Sequence, residues 1–186
     1  MLNALIDWLK RLLFGTARTK PGTSPFAPGT GPARLLILRH AEKTGDKSDP
    51  HLSEQGQARA NRLAAYIPET FGTPDFLIAA KTSKRSQRPY DTLVPLAEKL
   101  GLKIMEKFDD EEVDALVERL ADQPKYAGKS GVISWRHSDI PGLAAALGAP
   151  SGSYPPDWDE REYRLMIEMT FRDGAAPLVR QIVQPF

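Results

Sequence analysis

The feature that most constrains the fold of this chain is its repeated alternation of short apolar runs with segments of helical periodicity. The run Leu35–Leu38 is continuously aliphatic, which is typical of a strand buried on both faces of a sheet. A helix is predicted to begin after Ser53, a residue type that caps helices, and to end near Pro68. Its apolar residues recur at helical spacing: Ala60, Leu63, Ala64 and Ile67.

The same alternation continues through the middle of the chain. Further strands are predicted at Phe76–Ala80, Leu102–Met105 and Gly131–Trp135. Between these strands the pattern predicts a helix that ends at Gly101 and a helix that is capped by Asp109 or Asp110. After the last of them, Pro141 suits the first turn of another helix.

The last part of the chain predicts a pair of strands at the edge of a sheet. Between Tyr163 and Phe171, apolar residues alternate with mostly polar ones, and a turn signal at Asp173-Gly174 precedes the run Leu178–Val183. Because strands and helices alternate so often, the chain is predicted to be an α/β protein. Its expected architecture is a three-layer α/β/α sandwich with a mostly parallel central sheet.

The domain organisation follows from composition along the 186 residues. Residues 1–14 predict an amphipathic helix, residues 15–33 predict a linker rich in Gly and Pro, and residues 34–186 predict the folded domain. The first helix is too short to span a bilayer, which needs about 20 apolar residues. In the favoured interpretation this helix packs on the domain or forms a partly ordered terminus. In the other, it anchors the chain to a membrane surface.

The composition also narrows the class of function. Lys and Arg number 25 against 24 Asp and Glu, so the chain lacks the basic excess of a nucleic-acid-binding protein. There is no Cys, which excludes disulfides and thiolate chemistry and is compatible with a cytoplasmic location. Residues 1–14 are the candidate membrane contact. His40, His51 and His137 lie far apart and form no short ligand pair, so no metal site is expected.

Charged residues follow the predicted strands directly. Arg39 and His40 come at the end of the first strand, and Arg136 and His137 come at the end of Gly131–Trp135. The second strand is followed by a basic set: Lys81, Lys84, Arg85 and Arg88. Because the carboxyl ends of parallel strands face a common crevice, these cations predict an anionic ligand at one place.

The residue types in this crevice suit phosphate chemistry. The planar fork of arginine can donate two parallel hydrogen bonds to a phosphate group. Neighbouring arginines lower the pKa of a histidine, so the imidazole is expected to be neutral at pH 7 and therefore nucleophilic. The set favours phosphoryl transfer by covalent catalysis, in which one histidine accepts the phosphoryl group.

Three ordered segments carry a resemblance to a known family. The first, LLILRHAEKTGDKSDPHLSEQGQARA, contains a strand, Arg-His and a Leu-Ser-x-x-Gly-x-x-x-Ala element. The second, SKRSQRPYDTLVPLAEKLGL, has an Arg-x-x-x-Thr helix start at Arg88 and Thr92, and the third, GVISWRHSDIPGLAAALG, contains the second histidine. Over residues 34–148 the chain resembles the histidine phosphatase superfamily. The resemblance implies a phosphoglycerate mutase-like fold.

The same resemblance implies a metal-independent histidine phosphatase, a phosphoric monoester hydrolase with a phosphohistidine intermediate. His40 would be the nucleophile, Arg39 and Arg88 would bind the phosphoryl oxygens, and His137 would stabilise charge in the transition state. The residues predicted to bind the substrate are Arg39, Arg88, Lys43 and Arg136. No cofactor is implied, and the implied partner is a phosphorylated small molecule or a phosphoprotein.

Two positions depart from the family's pattern. Ala41 follows the nucleophile where Gly is common, and it would be strained if the backbone there needed a positive φ. The general acid has two candidate places. One directly follows the second histidine, where Ser138 stands and Asp139 comes one residue late, and the other is the acidic turn Asp109–Glu112.

Alternative interpretations stay open at this point. A mutase is one, although the chain shows no evident insertion that would enclose an intermediate. A non-catalytic phosphate-binding or interaction domain is the other, and the retention of both histidines speaks against it. Arg85 rivals Arg88 as a phosphate ligand. Glu42 and Lys43 could pair with each other or line the pocket, and residues 154–158 could shape the substrate mouth or pack over the sheet.

Overall fold

The structure, a computed structural model, describes residues 22–46 and 48–186. The predicted helix 1–14 and the first part of the predicted linker, residues 15–21, lie outside the described residues. The described residues form an α/β protein built on a six-stranded sheet.

The central sheet has the strand order β3-β2-β4-β1-β5-β6. Its strands are β1 (Arg34–Arg39), β2 (Phe76–Ala79), β3 (Ile104–Met105), β4 (Ser130–Trp135), β5 (Leu165–Thr170) and β6 (Leu178–Val183). Strands β1 to β4 pair in parallel, whereas β5 pairs antiparallel with β1 and β6 pairs antiparallel with β5. The predictions of a mostly parallel sheet and of a strand pair at its edge are confirmed.

Helices cover both faces of the sheet. The helices of the described residues are α1 (Glu54–Phe71), α2 (Arg88–Leu100), α3 (Val113–Asp122) and α4 (Ile140–Ala146), with a 3₁₀ turn at Pro124–Tyr126. Helices α1 and α2 pack on one face, where Leu36 and Leu38 of β1 are buried. Helices α3 and α4 pack on the other face against Leu35 and Ile37. This alternation along β1 produces two cores and confirms the predicted three-layer sandwich.

The ends of α1 and α2 follow local sequence signals, with one exception. Ser53 caps α1 because its Oγ accepts a hydrogen bond of 3.1 Å from the backbone N–H of Gly56. Gly101 ends α2 in the left-handed region, at φ 66°, which glycine adopts without strain. The predicted end of α1 near Pro68 is wrong, since the helix continues to Phe71. A proline this close to the end of a helix removes only one backbone hydrogen bond.

The predicted cap of α3 is also wrong. The helix begins at Val113, and Glu112 rather than Asp109 or Asp110 occupies the capping position. The carboxylate of Glu112 instead accepts a hydrogen bond of 2.9 Å from the backbone N–H of Asp109. The two aspartates are therefore free to turn toward the basic residues that follow β2 and β4.

The prediction that residues 22–33 belong to a linker is wrong, because this segment packs on the domain. Phe26 is buried at 6% exposure in the core beneath α3 and α4, and its ring packs edge-to-face on Phe171 with centroids 4.9 Å apart. The backbone of Ala33 donates to the carbonyl of Lys129 (2.8 Å) and accepts from the N–H of Phe171 (2.9 Å). This segment packs on the domain because it carries an aromatic residue and satisfies strand-end backbone groups.

The topology fixes where a site can form. Parallel strands β1, β2 and β4 end on the same edge of the sheet, and the loops after them meet there. None of the described helices is long and apolar enough to cross a membrane.

Candidate active site

A pocket of about 180 Å³ opens at the carboxyl ends of β1, β2 and β4. It brings together all of the residues that the sequence analysis assigned to catalysis or substrate binding. They are Arg39, His40, Lys43, Arg88, Arg136 and His137. These six side chains therefore lie at one site, as the positions of the strand ends predicted.

Arg39 forms the buried floor of this pocket. Its side chain is 1% exposed, and its Nη1 donates to the backbone carbonyls of Glu160 and Glu162. The ring of Tyr163 lies 3.8 Å from the guanidinium carbon, a cation–π contact that fixes the plane of the fork. Within the described residues, Nε and Nη2 of Arg39 have no hydrogen-bond partner. A buried guanidinium with two unsatisfied donors calls for an anionic ligand.

His40 lies beside Arg39 and is 5% exposed. Its Nδ1 is 2.7 Å from the carbonyl oxygen of Ala41. Because a carbonyl can only accept, Nδ1 carries the proton and the lone pair of the neutral ring is on Nε2. Burial lowers the pKa of His40 to about 3, and the charges of Arg39 and Arg88 act in the same direction. The ring is therefore neutral at pH 7 and carries a lone pair on Nε2.

The loop after His40 is fixed by hydrogen bonds to α2. Thr92, at 0% exposure, accepts from the N–H of Ala41 (2.9 Å) and donates to the carbonyl of Arg88 (2.7 Å). This contact gives the Arg-x-x-x-Thr pattern a physical reason, because the threonine joins the loop after His40 to the helix turn that carries Arg88. No non-glycine residue of the described chain has a positive φ, so Ala41 is not strained there.

The start of α1 packs tightly on the same loop. A Cβ atom at Gly56 would lie 2.3 Å from the backbone oxygen of Glu42, so this position requires glycine. The same oxygen accepts from the N–H of Ser53 (2.9 Å). The Leu-Ser-x-x-Gly element thus holds the segment after His40 against the sheet, and Lys43 pairs with Leu52 in an isolated antiparallel bridge.

Arg88 and His137 also line the pocket. Arg88 donates from Nη1 to the carbonyl of Asp49 (3.0 Å), and its buried Nε has no partner among the described residues. The buried Nδ1 of His137 is likewise without a partner there. Burial lowers the pKa of His137, with Arg39 and Lys43 contributing in the same direction and Glu160 opposing them. His137 is therefore neutral at pH 7, and it lines the pocket just after the end of β4.

The mouth of the pocket is basic but partly neutralised. Arg136, whose side chain is 50% exposed, forms an ion pair with Asp110. Lys81 pairs with Asp109 at 3.1 Å. Arg85 also lines the pocket, and so Arg85 and Arg88 both face the site rather than excluding one another.

The structure does not bring a free carboxyl to the pocket as an obvious general acid. Asp109 and Asp110 line it, but each is paired with a cation. Ser138 donates to Asp139 (2.6 Å), and neither belongs to the pocket lining. In the described part of the chain, no three His, Asp or Glu side chains are grouped to hold a metal ion.

Several residues around the site were missed or left undecided by sequence reasoning. Tyr163 was assigned only to a strand, yet its ring covers Arg39. Glu42 pairs with Arg59 (2.7 Å) rather than with Lys43, because the side chain turns away from the pocket. Trp158 is 3% exposed in the core, which favours packing over the sheet for the segment 154–158. A Tyr separated from Arg39 by more than a hundred residues gives no local signal in the sequence.

Known structures have this fold. The phosphoglycerate mutase from Bacillus anthracis matches with a TM-score of 0.60 at 11% identity, covering 84% of this chain and 95% of that chain. The protein histidine phosphatase SixA complexed with tungstate matches with a TM-score of 0.58 at 15% identity, covering 81% and 96%. A mycobacterial glucosyl-3-phosphoglycerate phosphatase with inorganic phosphate gives 0.55 at 19% identity, covering 83% and 97%. The chain has the phosphoglycerate mutase-like fold that the sequence resemblance implied.

Curated relatives match a smaller part of the chain. The bifunctional protein Rv2228c of Mycobacterium tuberculosis is 35% identical over an alignment that covers 49% of this chain and 27% of that protein. An uncharacterized protein of Mycobacterium bovis, Mb2253c, matches with the same identity and coverage. The chain therefore spans about a quarter of the length of these relatives. No family model matches the chain.

Proposed function

We propose that this chain is a metal-independent phosphatase that hydrolyses a phosphomonoester or a phosphohistidine through a phosphohistidine intermediate on His40. One observation carries the proposal. Buried donors without partners among the described residues belong to the same pocket as the neutral His40: Nε and Nη2 of Arg39 and Nε of Arg88. A phosphoryl group is the ligand that satisfies converging donors of this kind beside a nucleophile.

In the first step, the lone pair on Nε2 of His40 attacks phosphorus. A P–N bond forms as the bond from phosphorus to the leaving group breaks, and the leaving atom departs with the bonding electrons and takes a proton from solvent water. Arg39 and Arg88 bind the equatorial oxygens, and His137 donates to them from the end of the neighbouring strand β4. The Ala41 carbonyl keeps the proton on Nδ1, so the ring nitrogen that attacks is the one that faces the pocket.

In the second step, water hydrolyses the phosphoenzyme. The water oxygen forms a bond to phosphorus, the P–N bond breaks, and its electrons return to Nε2 while the proton of water passes to solvent. The same donors stabilise the charge on the phosphoryl oxygens in both steps, since the phosphoryl group stays at one place.

The paired carboxylates at the mouth bear on the substrate. Asp109 and Asp110 are each held by a cation, so neither is free to protonate a poor leaving group. The proposed substrate is therefore one whose leaving group departs easily, as the imidazole of a phosphohistidine does, in a phosphoprotein or a phosphorylated small molecule. Solved structures of the same fold with phosphate and with tungstate support an oxyanion in such a pocket.

The experiment measures release of inorganic phosphate from an aryl phosphate and from a phosphohistidine peptide. His40→Ala is compared with the wild type and with His51→Ala, a matched control whose imidazole pairs with Asp91 away from the pocket. We expect turnover by the wild type and the control, loss of at least about 10⁴-fold with His40→Ala, and a phosphoenzyme trapped only when His40 is present. Phosphate binding without turnover by the wild type would instead favour a non-catalytic binding domain.

A further inference from the structure

Gln184 is a buried polar residue that lies outside the pocket and follows the edge strand β6. Its side chain is 0% exposed, which is unusual for an uncharged amide unless both of its polar ends are satisfied. Both ends are in hydrogen-bond contact, one with Arg59 and the other with the backbone of Tyr163.

The carbonyl end of the amide leads to the nucleophile loop. Oε1 of Gln184 accepts a hydrogen bond of 3.0 Å from Nη1 of Arg59. Arg59 in turn donates to both carboxylate oxygens of Glu42, at 2.9 Å from Nε and 2.7 Å from Nη2. Glu42 is 7% exposed and comes two residues after His40. Gln184 thereby orients the guanidinium that holds the loop carrying the proposed nucleophile.

The amino end leads to the phosphate-binding arginine. Nε2 of Gln184 donates to the backbone carbonyl of Tyr163 (3.3 Å), and the backbone N–H of Gln184 donates to the backbone carbonyl of Arg164 (2.9 Å). The ring of Tyr163 lies over Arg39 at 3.8 Å. The position of this ring limits how the fork of Arg39, with its two unsatisfied donors, can face a phosphoryl group.

We propose that Gln184 is a positioning residue that sets the geometry between His40 and Arg39 by holding Arg59 with one end of its amide and Tyr163 with the other. The inference rests on the proposed function, because it assumes that these two residues act on one phosphoryl group. An amide suits the place since it combines one acceptor and one donor without adding a charge to a buried network.

The main test is Gln184→Met, which keeps the length of the side chain and removes both polar ends. The matched control is Gln181→Met on β6, where an exposed glutamine donates only to the carbonyl of Ser153. Each variant is assayed for the Kd of orthophosphate, for kcat/KM on the better substrate, and for Tm, at a temperature well below unfolding. We expect Gln184→Met to weaken phosphate binding and to lower kcat/KM by about 10-fold, because small displacements of catalytic groups are costly.

One more variant tests the Tyr163 arm of the contact. In a Tyr163→Leu background, which removes the ring over Arg39, Gln184→Met should cost less than it does in the wild type.

The outcomes are distinct. A lower Tm for Gln184→Met with unchanged phosphate Kd and kcat/KM would reduce Gln184 to a core residue and overturn the proposal, as would full additivity with Tyr163→Leu. A wild type that binds phosphate but hydrolyses nothing contradicts only the proposed hydrolysis, since the phosphate Kd still tests Gln184. A wild type without phosphate affinity overturns both proposals.

Discussion

The same dipeptide, Arg-His, ends two neighbouring strands, but the two copies lie in different environments. Arg39 and His40 are 1% and 5% exposed. Arg136 keeps a half-exposed side chain that pairs with Asp110, and His137 is only partly buried. The first pair forms the floor of the pocket, and the second forms part of its wall and mouth.

The register of the sheet explains the difference. In the parallel pairing of β1 with β4, Arg39 lies opposite Trp135, the last residue of β4, and the N–H of His40 donates to the carbonyl of Trp135 (3.0 Å). Arg136 and His137 therefore begin one residue farther out along the strand direction than Arg39 and His40. A shift of one residue separates a buried arginine from one at the solvent boundary. The register of the strands, rather than the shared Arg-His motif, therefore decides the environment of each pair.

The largest effect should come from exchanging the two arginines for lysine. Arg39→Lys removes the fork with its unsatisfied Nε and Nη2, so we expect kcat/KM for phosphate release to fall by about 10³-fold. Arg136→Lys keeps a charge at the mouth and should raise KM by less than about 10-fold. Steady-state kinetics with circular dichroism to verify folding would check this. Equal losses in the two variants would contradict the contrast between floor and mouth.

The second effect concerns the two histidines. His137→Gln removes one donor to the phosphoryl oxygens but leaves the nucleophile, so we expect kcat to fall by about 10²-fold while a phosphoenzyme still forms on His40. Rapid quenching and detection of acid-labile, base-stable phosphate would measure that intermediate. If His137→Gln prevents phosphoenzyme formation and His40→Ala does not, the roles of the two strand ends are reversed.

The smallest effect is a dependence of stability on pH. The pKa of His40 is lowered to about 3 in the folded chain, so below about pH 6.5 the unfolded chain binds a proton that the folded chain does not. The free energy of unfolding should therefore fall as the pH decreases in this window. Relative to His40→Gln, the wild type should lose about 2 kcal/mol between pH 7 and pH 5.

Urea unfolding of both proteins at several pH values would measure this difference, and other titrating groups cancel in the comparison. His137→Gln should change the pH dependence less than His40→Gln, because His137 is less buried. Parallel pH curves for the wild type and His40→Gln would show that His40 is not held neutral by burial.

Much of the fold could be predicted because its signals are local. The aliphatic run before Arg39, the cap at Ser53 and the glycine at Gly101 each act within one turn or strand. Of the two helix boundaries that failed, the start of α3 depends on competition between partners. Asp110 turns to Arg136 instead of capping α3, and a sequence does not show which of several partners an aspartate takes.

The residues of the candidate site likewise differ in whether a local signal in the sequence predicts them. Strand-end logic brought the predicted arginines and histidines to one pocket, since parallel strands place their ends together. It could not find Tyr163, Arg59 or Gln184, because their contacts with the site cross more than a hundred residues or join side chains with no shared pattern. Residues that hold a site in position are specified by the tertiary fold and carry little trace in the linear sequence.

The burial of Phe26 has a practical consequence for how the chain can be shortened. A protein that starts at Arg34, where the sequence alone suggests the domain begins, would keep every residue of the pocket. It would also expose the ring of Phe171 and leave empty the space that Phe26 fills in the core. Its free energy of unfolding should fall by about 3–5 kcal/mol, as for the removal of a core phenylalanine. Such a fragment would expose an apolar surface that promotes aggregation while its pocket stayed intact, and its poor solubility could be mistaken for a defect of the site.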